Sequence, residues 1–363
     1  NQKVLNNQPG AKAILGSILE CLNSNDLKYV VIAMESTSFF STHVANFLSS
    51  SEELLPFKPF VYCLNPKTIA NYRKSFVDMD KTDPLDAFII ADFARCGRIT
   101  CSPWRGAQFL ALQRLTRHRL HLVECITREK AYMVSNIYLK FSELAVLDKG
   151  DKPFSDTYGV TSAAVLTEFL SLDDITYSPI EDLVAFVREK GKNRFSDPHQ
   201  TARILQKAAR DSYRLDKVLY EPLNVAIASS FNVIKSMEDE VKAVDKAIER
   251  TIKGLNTTEY QSLTSISGIG PVLASGILAE IGTITSFGSN DALAKYAGLT
   301  WRVKQSGDYS SDDARMTKTG NKYLRYYLIE SANIVKNHLP EYKEYYYKKY
   351  GEVTTHQHKR ALA

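Results

Sequence analysis

Between residues 10 and 100 the chain switches repeatedly between two hydrophobic rhythms. From Ala11 to Leu22 apolar residues recur three and four apart, the spacing of a helix with one buried face. Tyr29-Val30-Val31-Ile32-Ala33-Met34 is an unbroken apolar run rich in β-branched residues, which predicts a buried strand over Lys28 to Glu35. A helix over Thr42 to Leu48, a short strand over Pro59 to Leu64 and a helical turn from Pro66 follow. Pro84 to Cys96 reads as a helix, with Asp83 as N-cap, Pro84 in the first position and Gly97 as the stop. Alternating strands and helices predict an α/β sheet domain.

The rhythm changes at Trp104. No proline interrupts the chain up to Leu147, and Leu112, Leu115, Arg119, Leu122, Ile126 and Met133 mark one face of a long helix. Residues 148–200 hold most of the loop signals, among them Lys152-Pro153, Ser178-Pro179, Gly191-Lys192-Asn193 and Asp197-Pro198, with short helices between them. A helical pattern returns from Thr201 to Leu255, with a break expected near Pro222. Val233, Met237, Val241, Val244 and Ile248 step by three or four, the seam of a coiled coil or an antiparallel hairpin. The pattern leaves open whether that seam packs within one chain or between chains. A last region starts near Tyr260. There Ser265-Ile266-Ser267-Gly268-Ile269-Gly270-Pro271 precedes an apolar helix ending at Gly282. A helix, a tight Gly-x-Gly turn and a second helix resemble a helix-hairpin-helix, in which backbone N–H groups at Gly268 and Gly270 approach a phosphate. A plain turn between packed helices is the alternative.

At 363 residues the chain has room for two or more domains. No window approaches the roughly 18 consecutive apolar residues of a membrane span, and no secretory signal is visible. Five cysteines, without a C-x-x-C pair, fit a reduced cytoplasmic setting better than a disulfide framework. The first residue is Asn1 and the last few stop inside a helical pattern, so both ends are expected to be trimmed. A net charge of +5 is too small by itself to argue nucleic-acid binding; its distribution matters more.

Three carboxylates carry candidate chemistry. Glu35 ends the apolar strand, and Asp83 and Asp86 lie three apart on the first turn of a helix, one above the other. Acids gathered from separate elements supply the hard oxygen ligands of divalent-metal phosphodiester chemistry. Capping and dipole stabilisation of a helix start would explain Asp83 and Asp86 equally well. Ser306 lies in a polar loop, Gln305-Ser306-Gly307, amid a cationic cluster of Arg302, Lys304, Arg315, Lys318, Lys322 and Arg325. Those side chains could hold a scissile phosphate beside a serine hydroxyl. The tail Tyr342-Lys343-Glu344-Tyr345-Tyr346-Tyr347-Lys348-Lys349-Tyr350 could stack on bases or pack a tyrosine face on the core. His118, His121 and Glu124 read as a solvated helix face rather than a metal site.

Six motifs occur in order: Glu35-Ser36-Thr37, Lys81-Thr82-Asp83-Pro84-Leu85-Asp86-Ala87, Ser267-Gly268-Ile269-Gly270-Pro271 with Ala279-Glu280-Ile281-Gly282, Tyr296-Ala297-Gly298-Leu299, Gln305-Ser306-Gly307, and Thr317-Lys318-Thr319-Gly320-Asn321 through Leu324-Arg325. The ordered set resembles the DEDD-type insertion-sequence transposases, recombinases guided by a bridge RNA. The resemblance implies α/β plus all-α architecture: an RNase-H-like (RuvC-like) sheet domain over 1–103 lacking its first strand, a helical coiled-coil region over 104–258 with an insertion at 148–200, and a mainly helical transposase domain over 259–363. It implies that Glu35, Asp83 and Asp86 are the second to fourth acids of a Mg²⁺ (or Mn²⁺) site, the first lying upstream of residue 1, and that Ser306 attacks a DNA phosphate. It further implies donor and target DNA and a guide RNA as partners, a dimer of dimers in which acids of one protomer meet the serine of another, and a cytoplasmic, nucleoid-associated setting in a bacterium or archaeon. A junction-resolvase-like nuclease using the acids alone, and a non-catalytic nucleic-acid scaffold, are the rival readings.

Overall fold

The computed structural model describes residues 3–36, 38–76, 82–99, 101–148, 150–255, 258–301, 305–306, 309–310, 316 and 318–363. They form two compact units, one of residues 1–117 with 247–363 and one of residues 118–246.

The first unit opens with helix α1 (Gln8–Ser24), capped by the Asn7 side chain, which accepts the Gly10 N–H at 2.9 Å. Strand β1 (Val31–Glu35), helix α2 (Phe40–Ser49), strand β2 (Phe60–Leu64), α3 (Pro66–Arg73) and α4 (Asp83–Arg95) follow. β1 and β2 pair in parallel, Val31 opposite Phe60 and Glu35 opposite Leu64, and the Trp104 N–H donates to the Val61 carbonyl of β2 at 2.6 Å. Strand alternation divides the side chains between two cores. Ile32 and Met34 join Leu15 and Leu22 of α1 and Leu48 of α2, whereas Ala33 joins Leu64, Ile69, Ile89 and Phe93 from β2, α3 and α4. Glu35, two residues beyond Ala33, therefore belongs to the α4 side of the strand. Where a larger RNase-H-like sheet is expected, the described residues of this region hold these two strands. The N-cap of α4 is Thr82 rather than Asp83, so Asp83 and Pro84 occupy the first two helical positions, and Gly97 (φ +65°) follows the C-cap, Cys96.

Helix α5 (Ala107–Lys140) leads through α6 (Ser142–Val146), α7 (Val160–Glu168), α8 (Leu172–Thr176), α9 (Ile180–Lys190) and α10 (Pro198–Asp211) to α11 (Tyr220–Leu255). The second helical stretch breaks at residues 212–219, before Pro222, which sits in the first turn of α11, where its missing N–H costs nothing. Inside the second unit α5 and α11 run antiparallel: Arg119 pairs with Asp245 at 2.6 Å, Lys130 with Glu238 at 3.1 Å, and the Ser230 hydroxyl donates to Glu129 at 2.6 Å. Those contacts lie within one chain. Ile227, Ile234 and Ile248 are buried along α11 and Val233 is exposed, so the apolar seam runs one residue later at that turn than the spacing predicts. The helices of 148–200 close on a core of Met133, Ile137, Phe141, Leu166, Leu183 and Leu205.

Lys140, 3% exposed, is embedded there. Its ammonium donates to the Leu166 and Phe169 carbonyls at 2.7 Å each, and to Asn224 Oδ1, which closes the C-terminal end of α7. Burial pulls its pKa down to about 8, with Asp174 acting in the opposite direction. The unfolded chain keeps that proton to roughly pH 10, so the folded state is penalised below about pH 8 and the penalty lifts as pH rises from there. Relative to Lys140→Met, the parent protein should gain on the order of 1–3 kcal/mol between pH 7 and pH 10 in urea unfolding. A difference that stays flat across that range contradicts the assignment.

The chain returns to the first unit through α12 (Thr258–Thr264), α13 (Pro271–Ile281) and α14 (Asn290–Ala297). Short strands β3 (Gln305–Ser306) and β4 (Tyr309–Ser310) precede α15 (Lys322–His338), α16 (Pro340–Gly351) and α17 (Gln357–Leu362). α13 packs on α15 around Ile277, Ile281, Ala297, Leu324 and Tyr327. No helix among the described residues is long and apolar enough to cross a membrane.

Candidate active site

The three acids of the N-terminal region come from β1 and α4, which pack together. Asp83 is exposed at the first position of α4, and Asp86, half-buried, lies three residues along the same helix. Glu35 is half-buried at the end of β1. Asp86 is ion-paired with Arg73, the last residue of α3. Among the described residues no three His, Cys, Asp or Glu side chains stand together as a metal-holding group. The donor chemistry, all carboxylate oxygen, suits Mg²⁺ or Mn²⁺, and a bound ion would compete with Arg73 for Asp86. Thr37 and Lys81 lie outside the described residues. The exposed His118 and His121 rings, three residues apart on α5, stack with centroids 6.1 Å apart.

In the C-terminal region the Gly-x-Gly turn joins α12 to α13. At Gly268 (φ +101°) the close neighbour is the chain itself: an added Cβ would stand 2.9 Å from His338 Cδ2 and 3.2 Å from Val335 Cα of α15. Glycine there is required by the left-handed backbone and by helix packing. Gly270 differs. It is the exposed N-cap of α13, with nothing within 4 Å of an added Cβ. At Gly270 a backbone approach has open space around it, whereas at Gly268 the side-chain direction is taken up by α15.

The backbone of Ser306 lies in an antiparallel hairpin, opposite Tyr309, and an isolated bridge between Trp301 and Met316 forms its neck. Arg302, Lys304 and Arg315 lie outside the described residues, and of Ser306 only the backbone is described. Lys318 and Lys322 are exposed. Arg325, half-buried, donates from Nη1 to the Ala297 carbonyl at 2.9 Å and the Lys318 carbonyl at 3.2 Å, tying the two segments beside the neck together. In α16 Tyr346 is buried and hydrogen-bonded to His358 Nδ1 at 2.7 Å, whereas Tyr342, Tyr345 and Tyr347 are exposed. With Tyr350 also exposed, the tail serves the core with one ring and offers four to solvent.

Sequence reasoning missed a buried polar node beneath the hairpin. Glu280, in the last turn of α13, is bound by Arg117 through Nε at 2.7 Å and Nη2 at 2.9 Å, and by Asn321 Nδ2 at 2.6 Å. Burial lowers the Arg117 pKa, but the bonds and charge of Glu280 outweigh it and hold the guanidinium above its ordinary value. Arg105 donates to the Leu278 and Ala279 carbonyls at 3.3 and 3.2 Å, satisfying the C-terminal end of α13 where Gly282 (φ +72°) turns the chain; burial pushes its pKa down. Burial likewise raises Tyr296, against the opposing effect of Asn321. The available signal was a single acid inside an otherwise apolar helix, Val272 to Ile281.

A family model described as "Transposase", of the DEDD class, matches residues 1–139, and the model for the transposase IS116/IS110/IS902 family matches residues 260–347. A protein of insertion element IS116 from Streptomyces clavuligerus is 22% identical over 298 residues, covering 80% of this chain and 70% of the relative. A protein of insertion element IS900 from Mycobacterium paratuberculosis is 25% identical over 293 residues, with the same 80% and 70% coverage. A probable family 20 transposase of Pseudomonas aeruginosa is 25% identical over 114 residues, 31% of this chain and 33% of the relative. The molecule is a DNA transposase of the DEDD class. Within that class the chain belongs to the IS116/IS110/IS902 family of insertion-sequence transposases.

Proposed function

We propose that this transposase cuts and rejoins DNA through the hydroxyl of Ser306, with Glu35, Asp83 and Asp86 as its metal-binding carboxylates. The observation that supports the reading is the alternation of β1, by which Glu35 shares its side of the strand with Ala33, which packs with Ile89 and Phe93 of α4, the helix that starts with Asp83 and Asp86. In the proposed step Ser306 Oγ forms a bond to a backbone phosphorus and the bond from phosphorus to one deoxyribose oxygen breaks. The hydroxyl proton ends on that leaving oxygen. The phosphodiester bond energy is kept in the serine ester, so reversal on another strand rejoins DNA without a nucleotide cofactor. Bound Mg²⁺ or Mn²⁺ would supply Lewis-acid stabilisation of the charge on the phosphate. Arg302, Lys304, Arg315, Lys318 and Lys322 bear on the phosphate backbone, Arg325 sets the neck they flank, and the open N-cap at Gly270 meets duplex backbone. The RNase-H-like domain, coiled coil and three-part division of the chain belong to the same proposal.

A guide RNA chooses donor and target DNA by base pairing, so that the protein reads shape and backbone. The active assembly is a dimer of dimers in which acids of one protomer meet the serine of another.

Full-length transposase incubated with labelled donor and target DNA, guide RNA and Mg²⁺ should give a protein–DNA adduct that survives a denaturing gel. A junction-resolvase-like nuclease would give free cleaved ends and no adduct, and a scaffold neither. Either of those outcomes replaces the reading.

A further inference from the structure

Glu280 is a carboxylate with 1% of its side chain exposed, in a helix otherwise built from apolar and small residues. Packing does not require it, because an apolar side chain of similar volume fills such a site at no desolvation cost. What a carboxylate adds is direction, since each oxygen accepts from a defined donor. The fork of Arg117 on α5 grips both oxygens of Glu280, Nε on Oε1 and Nη2 on Oε2, and its guanidinium also lies 4.3 Å from the centre of the Tyr323 ring. Asn321 Nδ2 donates to Oε2 as well.

Asn321 is the joint between the hairpin and α15. Its Oδ1 caps α15 by accepting from Tyr323 N–H at 3.0 Å and Leu324 N–H at 3.1 Å, and its own N–H donates to the Tyr296 carbonyl at 2.7 Å. Gly320, just before it, lies so close to Gly298 that an added Cβ would stand 2.6 Å from the Gly298 nitrogen. Arg325 ties the Ala297 and Lys318 carbonyls together on the other side. Residues 297–298 and 318–321, beside the Trp301–Met316 bridge, are thereby tied to α14 and α15, and through Glu280 to α5.

We propose that Glu280 is a positioning residue which, through Asn321, sets the neck of the Ser306 hairpin on α5. It rests on the reading of Ser306 as nucleophile, and its test separates the two. Asn321→Asp retains the oxygen that caps α15 but puts a second carboxylate against Glu280. Two carboxylates in hydrogen-bonding range do not both stay ionised, so one takes up a proton as pH falls and supplies the missing O–H donor. Asn321→Ser keeps a capping oxygen and cannot reach Glu280 at any pH. Glu280→Gln keeps the volume and one acceptor oxygen, and serves if either Asn321 variant fails to fold.

Two readouts are taken. In a Trp104→Phe background the remaining tryptophan of the chain's two, Trp301, reports the neck by its emission, independent of chemistry. Adduct formation at saturating DNA reports the chemical step. At pH 8 Asn321→Asp and Asn321→Ser should both shift Trp301 emission and slow adduct formation about thirtyfold, with DNA affinity within about threefold of the parent. Lowering the pH to 5.5 should restore the emission of Asn321→Asp and most of its rate relative to the parent, and leave Asn321→Ser impaired. Glu280→Gln, which keeps one acceptor oxygen and has nothing to titrate, should show a smaller deficit than Asn321→Ser that does not change with pH relative to the parent. Parental rates and emission in Asn321→Ser, or a deficit in Asn321→Asp that ignores pH, overturn the proposal. An adduct that persists in Ser306→Ala overturns the nucleophile reading instead and leaves the Trp301 result standing.

Discussion

Ser306→Ala should lower strand transfer by at least about a thousandfold and abolish the protein–DNA adduct, with DNA binding held within a few-fold. The asymmetry follows from what each group does. Affinity comes from many cationic and backbone contacts spread over the surface, and one hydroxyl adds little to it. The covalent route has a single nucleophile, and alanine offers no lone pair to attack phosphorus. Labelled DNA run on denaturing gels measures both adduct and free ends. Loss of the adduct with a matching rise in free ends would show that water can take the place of the serine. An undiminished adduct means that another residue attacks. The same variant addresses assembly: Ser306→Ala mixed with Asp86→Asn regains activity only if acids and serine of different protomers make one site.

Much of the fold is legible in the sequence because local rules set it. The apolar run before Glu35 becomes β1, and Pro66 and Pro84 each start a helix within a residue of the expected place, because a missing N–H and a fixed φ are tolerated there. Gly97 ends α4 by its left-handed backbone. Features decided by neighbours distant in sequence are not legible. Gly268 looks like a phosphate-approach glycine because its need for space is local, but the partner that fills the space, α15, comes some seventy residues later. Arg325 counts as one more cation until the carbonyls of Ala297 and Lys318 are seen to use its donors. Val233 fits a three-four step, yet the face is set by what α11 meets, and Ile234 is the residue buried. Glu280 was visible only as one letter of a motif; its role appears once Arg117 and Asn321, from two other elements, converge on it. The carboxylates are the intermediate case. Strand alternation gives Glu35 its side, and helix spacing aligns Asp83 with Asp86, but the salt link from Arg73 to Asp86 depends on how α3 meets α4.

Gly276→Ala should destabilise the C-terminal part of the first unit by about 2–4 kcal/mol, against a helix-propensity gain of about 1 kcal/mol from the same change. Gly276 lies in the middle of α13 where α15 crosses it, and a methyl group there would overlap Cγ, Cδ1 and Cε1 of Tyr327. That ring cannot step aside. It is fully buried among Ile277, Ile281 and Leu324, and its hydroxyl donates to the Thr116 carbonyl of α5 at 2.7 Å. Moving the ring breaks that bond and strands the buried Tyr327 hydroxyl; moving the helices opens the core that surrounds it. Gly16→Ala is the matched control: it is an exposed position inside α1, with nothing within 4 Å of an added Cβ, and should stabilise by about 0.5–1 kcal/mol. Hydrogen exchange of the α13 amides, with urea midpoints for both variants, reads the two signs. If Gly276→Ala is as stable as the parent, α13 and α15 stand further apart than described. The Glu280 node at the end of that same helix would then lose the rigid support on which its hold over the hairpin neck depends.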